Sequence, residues 1–597
     1  MNYDSVTLRT ELEAASGLRP VDLLLENVKL VDVFTNEIRD CAIAVYGGKI
    51  VGTGSMPGIT AKERVDCNGM YAMPGFLDAH VHIETTLLTP AELGKAVVGW
   101  GTTTLFVDAM EIANVAGMEG LTALVEDADN LPFRTFLEIP SRVPTAPGLE
   151  TAGARLGASE VKELLTLKNA VSLGELDPSK ILGMREEYLE KVVAALEFGK
   201  ICNGHAIGLT PAELNIYATG HLCDDHESVT IEELRDRMRV GVKALIREGS
   251  SERNAKELLT GVLAEGLPTE NLMFCTDDKH INDIFEEGHI SYNVQTAIDL
   301  GMNPVEAIKI ATINAAKHFR LEHMIGSLTP GRQADIVFVE DIQSIRPVWV
   351  YKDGKRVATA GQVAPCTQKA FPAALFQTVH LPKDFSEKSF AIPVDARRAK
   401  CRVIELIADQ IINRQTEAWM TVEDGGLQAD VSRDVLKLAV VERYNQGGNV
   451  SVALVRGFGL TRGALASSVS HDHHNIVVVG TNDTDMCLAV RELERLQGGF
   501  AAAADGVVID SIALPLAGLM STLPAEEVMQ SMARVNASAC TLGCRMNAPF
   551  MSLSFISLPT VPALGLTDFG LIDVLRHSIV ELVLETDGTD VAAKAEI

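Results

Sequence analysis

The segment Tyr71-Ala-Met-Pro-Gly-Phe-Leu-Asp-Ala-His-Val-His82 runs apolar to Leu77 and closes on two histidines, His80 and His82. Side chains at i and i+2 of a strand share a face, so both imidazoles leave the strand's mouth in one direction. Two imidazoles so placed can grip one metal ion. A lone His-x-His also arises by chance on surfaces, so its meaning depends on the pattern of the chain beyond it.

That pattern is a long alternation of apolar strands and amphipathic helices. Strands are expected at 75–82, 102–109, 134–139, 171–175, 201–205, 221–226, 243–247 and 272–277, with helices in the gaps. Several helices open on one device: Thr89-Pro-Ala-Glu92, Thr210-Pro-Ala-Glu213 and Asn303-Pro-Val-Glu306 each read as a capping box with proline at the first helical position. Eight strand–helix units over residues 73–325 match the roughly 250 residues of a (β/α)8 TIM-like barrel. An open doubly wound sheet is the alternative.

Short β-rich segments flank this block on both sides. Val28 to Val33, Ala42 to Tyr46 and the Gly47-Gly48 turn precede it; Ala334 to Val339, Val348 to Lys352 and the Asp353-Gly354 turn come after it. Residues 1–72 and 326–375 are therefore expected to build one small β-sandwich domain from both flanks. Residues 380–597 read as an additional C-terminal α/β domain, with strands at 450–455, 476–479 and 506–509 and helices at 525–537 and 571–582.

In a β/α barrel the chemistry sits at the C-terminal ends of the strands. Those ends carry His80 and His82, Glu175, His205, His226 and Asp277. Four imidazoles and two carboxylates exceed the needs of one ion and suit two divalent ions with one carboxylate between them. Such a pair lowers the pKa of a clamped water enough to make a nucleophile near neutral pH. Nitrogen and oxygen donors without thiolate fit Mn²⁺, Fe²⁺ or Zn²⁺. Each histidine alone could be an ordinary core or surface residue, but six chance ligands would have to fall at strand ends together. Other zinc chemistries lack their motifs: His82-Ile-Glu84 has no Pro-Cys-x-x-Cys partner, and there is no His-Glu-x-x-His.

Bulk properties restrict the partners. A net charge of −28 over 597 residues disfavours nucleic-acid backbones and anionic membranes. No apolar run approaches the ~18 residues of a membrane span, and residues 1–10 show no basic-then-apolar signal pattern. The ten cysteines are scattered without a Cys-x-x-Cys, which points to a reducing, cytoplasmic setting. A small-molecule substrate and a homo-oligomer, a dimer, are expected.

The β-flanked barrel with these ligands resembles the amidohydrolase superfamily, and a glutamate at the strand-four position, instead of the carbamylated lysine common there, narrows the match. Thr102-Thr-Thr-Leu-Phe-Val-Asp-Ala-Met-Glu-Ile-Ala-Asn-Val115, Asn203-Gly-His-Ala206, His226-Glu-Ser228 and Cys275-Thr-Asp-Asp278 are similar to the bacterial adenine deaminases. So are three C-terminal strings: Ser467-Ser-Val-Ser-His-Asp-His-His-Asn-Ile-Val-Val-Val-Gly-Thr-Asn-Asp483, Leu514-Pro-Leu-Ala-Gly-Leu-Met-Ser521 and Pro549-Phe-Met-Ser-Leu-Ser-Phe555. Two positions depart from the family pattern. Asp108-Ala-Met-Glu111 stands where Asp-Pro-His-Glu is usual, and Arg142 where a small residue is expected; both lie near the rim and bear on substrate preference.

The resemblance implies metal-dependent hydrolytic deamination of adenine to hypoxanthine and ammonia, by attack of a metal-bridging hydroxide on C6. It puts Mn²⁺ or Fe²⁺ ahead of Zn²⁺. His80, His82 and Asp277 would hold one ion, His205 and His226 the other, and Glu175 would bridge them. Asp277 would relay a proton to the departing amine, and Glu111, with a raised pKa, would protonate N1; a solvated loop carboxylate is the plain alternative for Glu111. Asp278 and His280 would orient Asp277. His471, His473 and His474 are expected to cap a helix or shape a domain interface, with a third metal site or a lid as alternatives. The rival readings are a cyclic-amide hydrolase of the dihydropyrimidinase type, a deaminase of a modified purine, and a non-catalytic scaffold.

Overall fold

Eight short parallel strands succeed one another around a ring: β1 (Phe76–Val81), β2 (Thr102–Asp108), β3 (Arg134–Ile139), β4 (Ala170–Leu176), β5 (Ile201–Gly204), β6 (Asp224–Asp225), β7 (Lys243–Arg247) and β8 (Leu272–Cys275). They belong to a computed structural model that describes residues 4–128, 131–407, 412–560 and 563–587; the outermost parts of the expected terminal domains, 1–3 and 588–597, lie outside it. β1 to β5 form one ladder and β6 to β8 another. Single parallel bridges, Cys202 to Leu222 and Val81 to Asp277, join the two sheets at both seams. The sheet thus curls onto itself, and the open doubly wound alternative falls.

Every residue of β1 and β2 is buried, as strands with both faces covered must be. Leu77, Ala79, Phe106, Phe136, Ile201, Leu245, Met273 and Cys275 fill the interior. Phe106 stacks on Phe319 with ring centroids 3.7 Å apart. This apolar plug leaves the opposite rim to polar side chains.

Five expected strands end early. His82, Ala109, His205 and His226 stand one residue past β1, β2, β5 and β6, and Asp277 two past β8. Asp277 takes φ 56° and His221 takes φ 63°, left-handed values at which a ladder cannot continue. The capping reading holds for one helix of three. Thr210 accepts from the Glu213 N–H, and Glu213 accepts from the Thr210 N–H at 2.9 Å. Thr89 makes no cap, because Glu92 turns away to accept from the Ala525 N–H at 3.0 Å. Asn303 caps Val305 alone, while Glu306 binds Thr269.

Both flanks enter one nine-stranded sheet of the flanking β-sandwich. Its seam pairs Tyr71–Pro74 antiparallel with Ile336–Val339, so the segment leading into β1 is anchored by chain from beyond the barrel. The C-terminal domain is built on a ten-stranded sheet carrying the helix Asp483–Leu496. The helix expected at 571–582 is absent. Gly570–Asp573 pairs instead with Leu564–Thr567 and with Ser578–Ile579, since the segment is rich in β-branched residues and His577, at φ 48°, breaks it. The helix expected at 525–537 runs Ala525–Thr541. No helix among the described residues is long and apolar enough to cross a membrane.

Candidate metal centre and its cover

The barrel rim gathers the six expected side chains into one buried cluster. His82 Nε2 lies 3.7 Å from Glu175 Oε1 and 3.5 Å from Asp277 Oδ1, and His80 Nε2 lies 3.7 Å from the same Asp277 oxygen. On the other side, His205 Nδ1 and His226 Nε2 lie 3.5 and 3.2 Å from Glu175 Oε2. Glu175 therefore stands between the two histidine sets, one oxygen toward each. Lys180, the lysine nearest after β4, sits in the helix Pro178–Leu182 and does not line the centre.

The outer partners of two histidines are already set. His80 Nδ1 contacts Glu138 Oε2 at 2.8 Å, and His82 Nδ1 contacts the Asp108 carbonyl at 2.9 Å. Fixing one ring nitrogen in this way aims the other inward, as ligating histidines require. The inward atoms are short of partners: His80 Nε2 and both ring nitrogens of His205 are buried and make no hydrogen bond. Buried polar atoms are almost always paired. Orphaned imidazole nitrogens converging with carboxylates fit divalent cations, and the donor set of nitrogen and oxygen fits the metals expected.

Four more residues complete the cluster; the sequence placed Arg142 near the rim and assigned no part to Glu227, Arg247 or Asp472. Glu227 Oε1 lies 3.3 Å from His205 Nδ1 and 3.5 Å from His226 Nε2, adding a third carboxylate to that side. Arg247 Nη1 donates at 2.9 Å to both Glu227 Oε1 and Asp277 Oδ2. Arg142 Nη2 donates to Glu175 Oε1, and its Nη1 reaches Asp472 Oδ2 at 3.2 Å. Asp472 belongs to the C-terminal domain. Arg247 is the last residue of β7, so reading every strand end would have found it; Glu227 adjoins His226. Asp472 had no signal, because only folding brings it here.

Charge balance governs the titration. Burial pushes the Glu175 carboxyl up, but Arg142 and the histidines outweigh it and hold Glu175 well below the ordinary range. Burial likewise opposes ionisation of Asp277, and His226 and Arg247 overcome it. Burial pulls the imidazoles down, yet neighbouring carboxylates lift His82 to about 10 and His205 to about 9. The cluster is a set of anions seeking cations.

Glu111 opens the helix Met110–Ala128 at the same rim. It is not the raised-pKa acid expected from sequence. Burial pushes it up, but His471 and His474 together hold it well below the ordinary value. His471 Nδ1 is 2.8 Å from Glu111 Oε1, and His474 Nε2 contacts Oε2. Burial lowers His471, but Glu111 and Asp278 raise it to about 10. His474 is pulled down by burial. These histidines sit at the interface of barrel and C-terminal domain and cap no helix; His473 is buried behind them, with burial pulling it down to about 3. Asp278 faces His471 Nε2 at 3.9 Å, and the His280 backbone N–H donates to Ser250 Oγ. Neither orients Asp277, a task that Arg247 performs.

Residues 71–357 match the amidohydrolase family, and residues 410–578 match the adenine deaminase C-terminal domain. The adenine deaminase of Desulforamulus reducens is 55% identical over 585 residues, covering 98% of this chain and 100% of that protein. Adenine deaminase 2 of Carboxydothermus hydrogenoformans is 41% identical, covering 96% and 99%. The adenine deaminase of Dehalococcoides mccartyi is 40% identical, covering 95% and 98%. With the barrel, the buried ligand cluster and the covering domain all present over the full length of such relatives, the chain belongs to the bacterial adenine deaminase family of the amidohydrolase superfamily.

Proposed function

We propose that this chain deaminates adenine hydrolytically to hypoxanthine and ammonia with two divalent ions, Mn²⁺ or Fe²⁺ ahead of Zn²⁺. His80, His82 and Asp277 would hold one ion, His205 and His226 the other, and Glu175 would stand between them. The observation that carries the reading is the set of buried, hydrogen-bond-free nitrogens of His80 and His205, facing Glu175 and Asp277 in a member of this family. When bound, the ions supply Lewis acidity and a nucleophile from water near neutral pH.

The chain's own residues then divide the remaining work. Asp277, kept ionised, can accept a proton at Oδ1 while Arg247 holds Oδ2 at 2.9 Å, and can return it to the departing amine. N1 of the ring needs a proton as C6 becomes tetrahedral. The Glu111–His471 pair supplies it: Glu111 anchors a protonated His471 whose other nitrogen faces the centre beside Asp278. This assigns Glu111 a holding role. The C-terminal domain excludes water from above, where Phe555 and Leu558 line the centre. The ten cysteines, all unbridged, support a cytoplasmic setting.

A purine panel assayed with Mn²⁺ or Fe²⁺ tests the reading, by loss of adenine absorbance and release of ammonia. Adenine turnover with bound metal near two ions per chain is the expected result. Ring opening of a hydantoin without purine turnover, or protein free of metal and inert after reconstitution, would replace it.

A further inference from the structure

Two arginines reach into the candidate centre, and they take different kinds of oxygen. Arg247 Nη1 donates to Asp277 Oδ2 at 2.9 Å, the oxygen farther from the histidines. That leaves Asp277 Oδ1, 3.5 Å from His82 Nε2 and 3.7 Å from His80 Nε2, open to an ion. Arg142 does the opposite. Its Nη2 donates to Glu175 Oε1, the oxygen that faces His82 Nε2 at 3.7 Å and so belongs to the ion of His80, His82 and Asp277. A guanidinium and a divalent ion crowded on one carboxylate oxygen repel each other. Arg142 and Glu175 are both buried, so salt and solvent screen that repulsion weakly.

Arg142 has somewhere to withdraw to. Its Nη1 already donates to Asp472 Oδ2 at 3.2 Å, and Thr145 Oγ1 holds the same oxygen at 2.7 Å. Asp472 Oδ1 accepts no hydrogen bond among the described residues, and His471 Nδ1 stands 4.0 Å from it. One arm of the fork thus rests on the C-terminal domain, with a second oxygen beside it for the arm that leaves Glu175. The result would be the two parallel bonds that guanidinium and carboxylate geometry favours. Asp472 is buried and holds neither ion in the two-ion reading, so its charge is at the disposal of Arg142.

We propose that Arg142 is the counter-ion that a metal displaces: it neutralises Glu175 in the metal-free protein and moves wholly onto Asp472 as the centre is loaded. This makes Arg142 a positioning residue that sets how readily the centre fills, with Asp472 as its landing place. The proposal rests on the two-ion reading of the centre and is independent of which base is turned over.

Binding of Mn²⁺ to the full chain, followed over a chelator-buffered series of free Mn²⁺, supplies the test without any turnover. Arg142→Met keeps an unbranched apolar stem and removes the charge. It should lower the free Mn²⁺ that half-fills the protein by roughly three- to tenfold. Asp472→Asn takes away the landing place and should raise that concentration by roughly the same factor. In the Arg142→Met background, Asp472→Asn should change nothing, because there is no guanidinium left to receive; Arg142→Gln gives the same cycle if the methionine variant does not fold. Equal effects of Asp472→Asn with and without Arg142, or loading unchanged or weakened by removing Arg142, overturn the displacement. If Mn²⁺ uptake is lost in Glu175→Gln but indifferent to Arg142, only this proposal falls. Wild-type protein that takes up no Mn²⁺, or uptake unaltered by Glu175→Gln, brings down the two-ion reading with it.

Discussion

Glu175 and Asp277 hold the negative charge around which the centre is built, and each is neutralised in a different way. Glu175 meets His82 on one side and His205 and His226 on the other, while Arg142 shares its first oxygen. Asp277 is tied to Arg247. Replacing either by its amide removes the charge and keeps the shape, so Glu175→Gln and Asp277→Asn should each lower kcat by about 10³ or more with an unchanged far-UV spectrum. Activity within tenfold of wild type would remove that residue from the reaction. The Glu111–His471 pair gives a pH signature. Its histidine is raised from 6.5 to about 10, so its contribution to stability is full below pH 6.5 and is lost as pH rises through about 10. Glu111 is depressed, so its side of the same contribution is present above its ordinary value and lost as acid titrates it. The Tm gap between wild type and His471→Gln should therefore shrink between pH 6.5 and about 10. A gap constant over that window would mean that His471 is neutral in the fold.

Local signals along the elements carried unevenly. The strands Arg134–Ile139 and Lys243–Arg247 were readable to the residue, because each has a short buried apolar core, Phe136-Leu137 and Ala244-Leu-Ile246, bounded by polar residues that mark its ends. Strand ends at the rim were not, because polar ligands succeed the apolar run without a break in pattern, and left-handed Asp277 leaves no compositional mark. Three similar capping sequences behaved in three ways, since Glu92 and Glu306 found tertiary partners that outcompeted their own helix ends. Thr210, whose box is formed, makes this measurable. Thr210→Ala should cost about 1 kcal/mol, seen as lost hydrogen-exchange protection in the helix Pro211–Thr219. Thr89→Ala should leave the first-turn amides of Pro90–Val97 unaffected as far as capping goes, and equal losses in both helices would refute the distinction.

Across the whole molecule, the C-terminal domain acts as a working wall of the site. It delivers His471, Asp472, His474 and Phe555 to a rim whose ligands come from another domain. The same organisation decides what happens without metal. Arg142 and Arg247 already pair with Glu175, Glu227 and Asp277, so the carboxylates are not left uncompensated when ions are withdrawn. Dialysis against a chelator should abolish turnover and leave secondary structure intact, while the apparent Tm falls by on the order of 5 °C through loss of ligand linkage. Unfolding at room temperature on chelation would show that the arginines do not carry the charge.

The amino-acid order alone specified the barrel, the flanking sheet drawn from both sides and the six ligand-type residues, because apolar periodicity and strand-end position are local properties that survive in one dimension. It could not specify that Glu111 is clasped by two histidines some 360 positions away, or that Asp472 shares an arginine with Glu175. Those features depend on one domain settling against another. Charge pairing and cavity shape are set by distances in space, and no spacing along the chain encodes them.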